Sequence, residues 1–190
     1  MVGELSHEAI EKLALKAQKG DEKSFEELFE HFFNKIDRYV RFRVTEEVVE
    51  DLVSDVFLRL VKNLKRYRPH PKAKFSSWLF RIAHNRVIDH YRRTKELVGL
   101  ESEEDNYFLE IPEDENMQPD KVTDRALDHQ KMFKLMKKLP ALQREILELR
   151  YLENFTNAEI AHVVGKSEGN VRVIQLRALR EIRKNWDHPK

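Results

Sequence analysis

Residues 156–184 read TNAEIAHVVGKSEGNVRVIQLRALREIRK. Thr156 and Glu159 stand three apart, the spacing of a capping box that opens a helix. Ile160, Ala161 and Val164 give that helix a short apolar face, and Gly165 supplies the sharp turn that ends it. A second helix starts at Ser167. A short capped helix, a glycine turn and a longer basic helix are the grammar of a helix-turn-helix, in which the second helix enters the DNA major groove by its N-terminal residues. On that helix Val171, Ala178, Leu179 and Ile182 are expected to face inward, leaving Glu168, Asn170, Arg172, Val173 and Arg177 outward. Arg and Asn make bidentate bonds to base edges, and Arg and Lys neutralise phosphates. Glu168 reads as a first-turn acid that complements the helix dipole.

The second informative stretch is KFSSWLFRIAHNRVIDHYRR, residues 74–93. Trp78, Leu79, Ile82, Val87, Ile88 and Tyr91 fit one buried stripe of a helix capped by Ser76. The other face carries Arg81, Asn85, Arg86, Arg92 and Arg93. His84 and His90, six apart, fall on different faces and read as surface or phosphate-facing residues, not metal ligands. A third stretch, EDLVSDVFLRLVKNL at residues 50–64, aligns Leu52, Val53, Val56, Phe57, Leu60 and Leu64 on one face. Asp51, Ser54, Asp55 and Arg59 form a rim on another, available to a partner.

The remaining pattern is helical, with only five glycines in 190 residues. Helices are expected near 7–19, 22–43, 46–64, 76–94, 124–138, 140–153, 157–164 and 168–184. The net charge of +1 conceals a strong partition. Residues 65–95 hold ten Lys or Arg against one acid, residues 96–120 hold ten acids and no Lys or Arg, and residues 166–184 hold six basic residues against two acids. Two basic modules flanking an acidic tract point to polyanionic partners. The acidic tract, with two prolines and no sustained period, reads as an extended linker between folded parts. The fold class is therefore all-α: two small helical domains, residues 1–95 and 124–190, joined by an acidic linker over 96–123.

Composition also excludes chemistry. With no cysteine the chain has no disulfide, thiol nucleophile or Cys-type zinc site. No carboxylate or His cluster has the spacing of a catalytic metal site, so a nuclease is disfavoured, and neither cofactor nor metal is expected. No apolar run reaches the roughly 18–20 residues of a membrane span, and residues 1–20 read as an amphipathic helix, not a signal peptide, so a cytoplasmic location is expected.

Taken in order, the 50–64 helix, the loop KRYRPHPKAKF (65–75) and the 74–93 helix resemble domain two of a bacterial extracytoplasmic-function sigma factor. LPALQREILELRYLENFTNAEIAHVVGKSEGNVRVIQLRALREI (139–182) resembles domain four. The resemblance implies a non-enzymatic factor that binds core RNA polymerase, through the β′ clamp helices and the β subunit, and directs promoter-specific initiation. It implies promoter DNA and an anti-sigma factor as further partners, and no small-molecule substrate. By the same resemblance Asp51, Leu52, Asp55 and Arg59 contact polymerase. Tyr67, Lys72, Lys74, Phe75, Arg81, Asn85, Arg86, Arg92 and Arg93 hold the −10 element as a single strand, with Asn85 reading an extruded base. Ser167, Asn170, Arg172, Val173 and Arg177 read the −35 duplex. Ser54 stands where the family frequently has glutamine, and Ile174 and Gln175 stand where it commonly has Arg and Leu. The competing class, a stand-alone helix-turn-helix regulator, accounts for residues 156–184 but gives the other two helices no task.

Overall fold

The computed structural model describes residues 5–98, 131–132 and 134–187. Residues 99–123 of the expected linker and much of the helix expected at 124–138 lie outside the described residues, while residues 96–98, expected in the linker, end a helix that runs to Val98. Within them regular structure is helical, and the chain divides into two compact units, each described by itself.

In the first unit α1 spans His7–Gln18, α2 Glu22–Arg41, α3 Glu46–Leu64 and α4 Phe75–Val98. Ser6 opens α1 by accepting a hydrogen bond from the Ala9 amide at 3.2 Å, which satisfies one of the donors a helix start leaves unpaired. Gly20, at φ 96°, makes the turn into α2, a conformation in which any Cβ is strained. Leu28, Phe32, Ile36 and Val40 on α2, and Val49, Leu52, Val53, Val56, Phe57, Leu60 and Leu64 on α3, recur at three- and four-residue steps and are buried together with Leu79, Phe80, Ala83 and Val87 of α4. Each large apolar side chain fully removed from water contributes about 1.5–3 kcal/mol. The rings give the packing direction: Phe80 sits edge-on to Tyr39 at 5.3 Å between centroids, and Phe75 lies 5.7 Å from Phe32.

A buried cation is built into this unit. Arg43 donates from Nη1 to the Tyr39 carbonyl at 2.7 Å and lays its guanidinium over the Tyr39 ring at 3.6 Å. Its own carbonyl accepts the Tyr91 hydroxyl. The charge is thus held by a carbonyl and a π face, and that knot ties the end of α2 to α4.

Three expectations for α4 are corrected. The helix begins at Phe75, so Ser76 is a buried first-turn residue and not the cap. The buried stripe is broader than the apolar pattern and includes Ser76, Ser77, Phe80, Ala83 and His84, so His84 is an interior residue, not a surface one. Trp78, Ile82, Ile88 and Tyr91 are half-buried at its margin.

In the second unit α5 spans Ala141–Tyr151, α6 Asn157–Val164 and α7 Glu168–Asp187. Asn154 takes the left-handed conformation after α5 (φ 55°), which Asn tolerates better than most side chains. The capping box forms as the sequence predicts: the Thr156 amide donates to Glu159 Oε2 at 2.9 Å, and the Glu159 amide donates to Thr156 Oγ1 at 3.3 Å. Gly165, at φ 66°, turns the chain while the Lys166 amide returns to the Ala161 carbonyl at 3.1 Å. Ser167 then caps α7 through the Asn170 amide at 3.2 Å. Leu139, Leu147, Ala178 and Ile182 form a core cluster, with Leu135 and Met136 packed against it. Leu179, expected inward, is exposed: inward places on this part of α7 go to Ala178 and Ile182, four apart, and Leu179 falls a third of a turn away.

Candidate nucleic-acid interface

The first surface lies on α4 and the loop before it. Arg81 and Asn85 are one turn apart and exposed, and Arg92 follows two turns after Asn85 on the same side, with Arg93 and Lys72 also exposed and Lys74 half-buried. These residues can meet phosphates and a base edge without moving the core.

Four residues expected on the interfaces are instead structural. Tyr67 is 2% exposed, with its hydroxyl donating to Glu11 Oε2 at 2.7 Å and its ring edge-on to Phe75 at 5.3 Å. Phe75, the first residue of α4, is fully buried as well, so neither ring offers a face on which a base could stack. Leu52 is core on α3, since the apolar stripe claims it. Arg86 is the fourth: its side chain is 8% exposed, Nη1 donates to Asp89 Oδ2 at 2.7 Å, and Nε is ion-paired with Asp55 Oδ2. Carboxylates against a guanidinium this deep offset the cost of taking its charge out of water, so Arg86 joins α4 to α3 instead of reaching for phosphate.

That pairing changes the reading of α3. Asp55 also lies 3.5 Å from Arg59 Nε, so its charge is shared between two arginines, whereas Asp51 is exposed. Beside this rim the structure exposes residues that sequence reasoning missed. Leu58 is 57% and Val61 53% exposed, and Phe29 and Phe33 of α2 are exposed around Phe57, at 4.7 and 6.1 Å between ring centroids. The available signal was that Leu58 and Val61 fall outside the six-residue buried stripe. Together these exposed apolar residues make this side of the unit a candidate interaction surface.

The second surface is the N-terminal half of α7. Ser167, Asn170, Arg172, Val173 and Arg177 are all exposed, and the Arg172 side chain, 69% exposed, lies 3.7 Å from Glu168. Ser167 is engaged as a cap, so its hydroxyl shapes the helix start as well as facing outward. Ile174 and Gln175 are half-buried. Burial pushes the half-buried His90 imidazole below its ordinary pKa, which favours the neutral ring. Among the described residues no group of His, Asp and Glu could hold a metal ion, and no helix is long and apolar enough to cross a membrane.

A helix-turn-helix following a separate helical unit with a basic face defines a class, and comparison with known proteins identifies it as sigma-70. The Sigma-70 region 2 family model matches residues 28–96, and that of Sigma-70, region 4 matches residues 135–184. The chain is 31% identical over 184 residues to the ECF RNA polymerase sigma factor SigD of Mycobacterium tuberculosis, covering 93% of this chain and 83% of that one. It is 29% identical over 171 residues to the ECF RNA polymerase sigma factor BldN of Streptomyces coelicolor, covering 90% of this chain but spanning only 63% of that protein's length. The fold matches that of CnrH, solved in complex with the cytosolic domain of CnrY, with a TM-score of 0.65 at 23% identity over 96% of this chain and 99% of that one. The chain belongs to the ECF RNA polymerase sigma factors, a family of non-catalytic transcription initiation factors.

Proposed function

We propose that this chain binds core RNA polymerase and directs promoter-specific initiation through two separate DNA-reading modules, the first ending with α4 at Val98 and the second over residues 124–190, joined by the acidic tract between them. The chain itself makes and breaks no covalent bond and works in the cytoplasm. Asp51 and the apolar residues Phe29, Phe33, Leu58 and Val61 dock on polymerase, the β′ clamp helices being the partner on this unit and the β subunit a further contact. An anti-sigma factor would act by covering the same apolar surface. Arg81, Asn85, Arg92, Arg93 and the loop tip around Lys72 hold the −10 element as a single strand, with Asn85 reading an extruded base. Asn170, Arg172, Val173 and Arg177 read the −35 duplex.

The observation that carries this reading is the exposed row Arg81–Asn85–Arg92 on a helix whose opposite side is fixed in a core. Extruding a base costs a few kcal/mol, and a rigid row of donors recovers that cost without ordering itself at the moment of binding. Both surfaces neutralise phosphates, so binding should fall with salt, more steeply on duplex than on single strands.

The test uses holoenzyme with two probes: an oligonucleotide selected from a random single-stranded pool on the unaltered holoenzyme, and a duplex selected in the same way. Arg172→Ala should weaken duplex binding by about 1–3 kcal/mol, the worth of one bidentate base contact. Asn85→Ala should weaken single-strand binding and slow open-complex formation, and the defect should persist on a pre-melted template. The assignment fails if Asn85→Ala leaves single-strand binding unchanged while Arg172→Ala abolishes it.

A further inference from the structure

The loop proposed to capture the −10 strand, residues 65–74, is held at both ends by one helix that lies before it in the chain. Glu11 of α1 uses both carboxylate oxygens on it. Oε2 accepts from the Tyr67 hydroxyl at 2.7 Å, and Oε1 accepts from the Phe75 backbone amide, also at 2.7 Å. The second contact places a negative charge on the first amide of α4, where a helix start leaves donors unpaired and its dipole favours an anion. One α1 residue further toward the helix end does the complementary task. The two N–H groups of Gln18 Nε2 are shared among the carbonyls of Tyr67 at 2.8 Å, Leu64 at 2.9 Å and, at the longer 3.3 Å, Lys65, where the chain leaves α3; Arg68 Nη1 also donates to the Tyr67 carbonyl at 2.8 Å and the Lys65 carbonyl at 3.2 Å.

The tip is treated differently. Arg68, Pro69, His70, Pro71 and Lys72 are exposed, and the turn closes on itself through the Ala73 amide to the His70 carbonyl at 3.0 Å and the Lys72 amide to His70 Nδ1 at 3.1 Å. The loop is thus pinned at its base and presented at its tip. Glu11 and Gln18 precede residue 28, where the match to the region 2 family model begins.

We propose that Glu11 and Gln18 are positioning residues for single-strand capture: they set the height and orientation of the 68–72 tip relative to α4 without touching DNA. This rests on the assignment of strand capture to α4 and its loop. An ordered loop binds without the entropic cost of being ordered on contact, so loosening its base should lower affinity for the single strand while sparing other functions.

The experiment measures holoenzyme affinity for the selected single-stranded oligonucleotide and the selected duplex, with polymerase affinity and thermal unfolding of each variant alongside. Glu11→Ala should bind the single strand about tenfold more weakly, the scale of losing hydrogen bonds to a charged group. Glu11→Gln, which keeps an acceptor for the Phe75 amide and can donate to the Tyr67 oxygen, should recover most of the loss. Gln18→Ala and Tyr67→Phe should each give a smaller loss, and none should alter duplex or polymerase affinity. If Glu11→Ala does not fold, Tyr67→Phe and Gln18→Ala decide the matter, since each removes only polar contacts. Unchanged single-strand binding in folded variants overturns the proposal, as does equal weakening on single strand, duplex and polymerase. Asn85→Ala run in parallel separates the two levels: a defect there with none in the α1 variants sinks this inference alone, and no defect in Asn85→Ala sinks both.

Discussion

Replacing Asp55 tests whether the acidic rim of α3 is structural as well as available to a partner. As an isolated surface acid, Asp55→Ala would change stability by only about ±0.5 kcal/mol. Its carboxylate, however, is one of two that face the Arg86 guanidinium, whose side chain is 8% exposed. Removing one partner of a fully buried pair costs about 3–5 kcal/mol. Two facts reduce that here: Asp89 remains at 2.7 Å, and Asp55 is 34% exposed, so solvent already screens part of the interaction. The expected cost is about 1–2 kcal/mol, or roughly 5–10 °C in Tm for a unit of this size. Asp51→Ala, with no such partner built into the core, should stay near zero. The assay is urea unfolding followed by Trp78 fluorescence in a Trp186→Phe background, Trp78 and Trp186 being the two tryptophans of the chain. Arg86→Met added to Asp55→Ala should recover part of the loss, because the stranded charge is gone. An Asp55→Ala variant as stable as its parent would refute the ion-pair argument, and any drop in its polymerase affinity would then be a pure interface effect.

Thr156→Ala removes the capping box of α6 and should cost about 1 kcal/mol in denaturant unfolding of the second unit, with weaker duplex binding only as a consequence. Leu58→Asp with Val61→Asp should leave the fold intact and abolish holoenzyme formation in a pull-down of polymerase subunits; retained assembly would remove the apolar surface from the interface. The ten acids of residues 96–120 give the tract the charge of a nucleic-acid backbone, so if it occupies a nucleic-acid channel of polymerase, replacing the acids between Glu101 and Glu115 with Ser and Gln should leave promoter binding near normal and change the abortive transcript profile, whereas an identical profile would make the tract a plain tether.

The helices were legible because periodicity is local. The α3 stripe of Leu52, Val53, Val56, Phe57, Leu60 and Leu64 is buried as its spacing predicts, and α6 begins and ends at the expected residues because its cap and glycine turn are written within ten positions. The misread residues were decided by distant contacts. Tyr67 is interior because Glu11, 56 positions earlier, accepts its hydroxyl, and Arg86 is interior because Asp55 on another helix meets it. An aromatic among basic residues reads the same whether its ring will stack on a base or fill a core. Composition supplied the charge of the surface but not which of its members had partners inside the fold.

The two anchor points on Glu11 leave the segment between them as an exchangeable cassette. Tyr67 and Phe75 define a frame whose ends are stitched to α1, while Arg68, donating to the Lys65 and Tyr67 carbonyls, and His70, accepting from the Lys72 amide, hold the shape of the segment between them. A library randomised at Pro69, Pro71 and Lys72, with Glu11, Gln18, Tyr67, Arg68, His70 and Phe75 retained, is the natural starting point for altering the proposed single-strand selectivity.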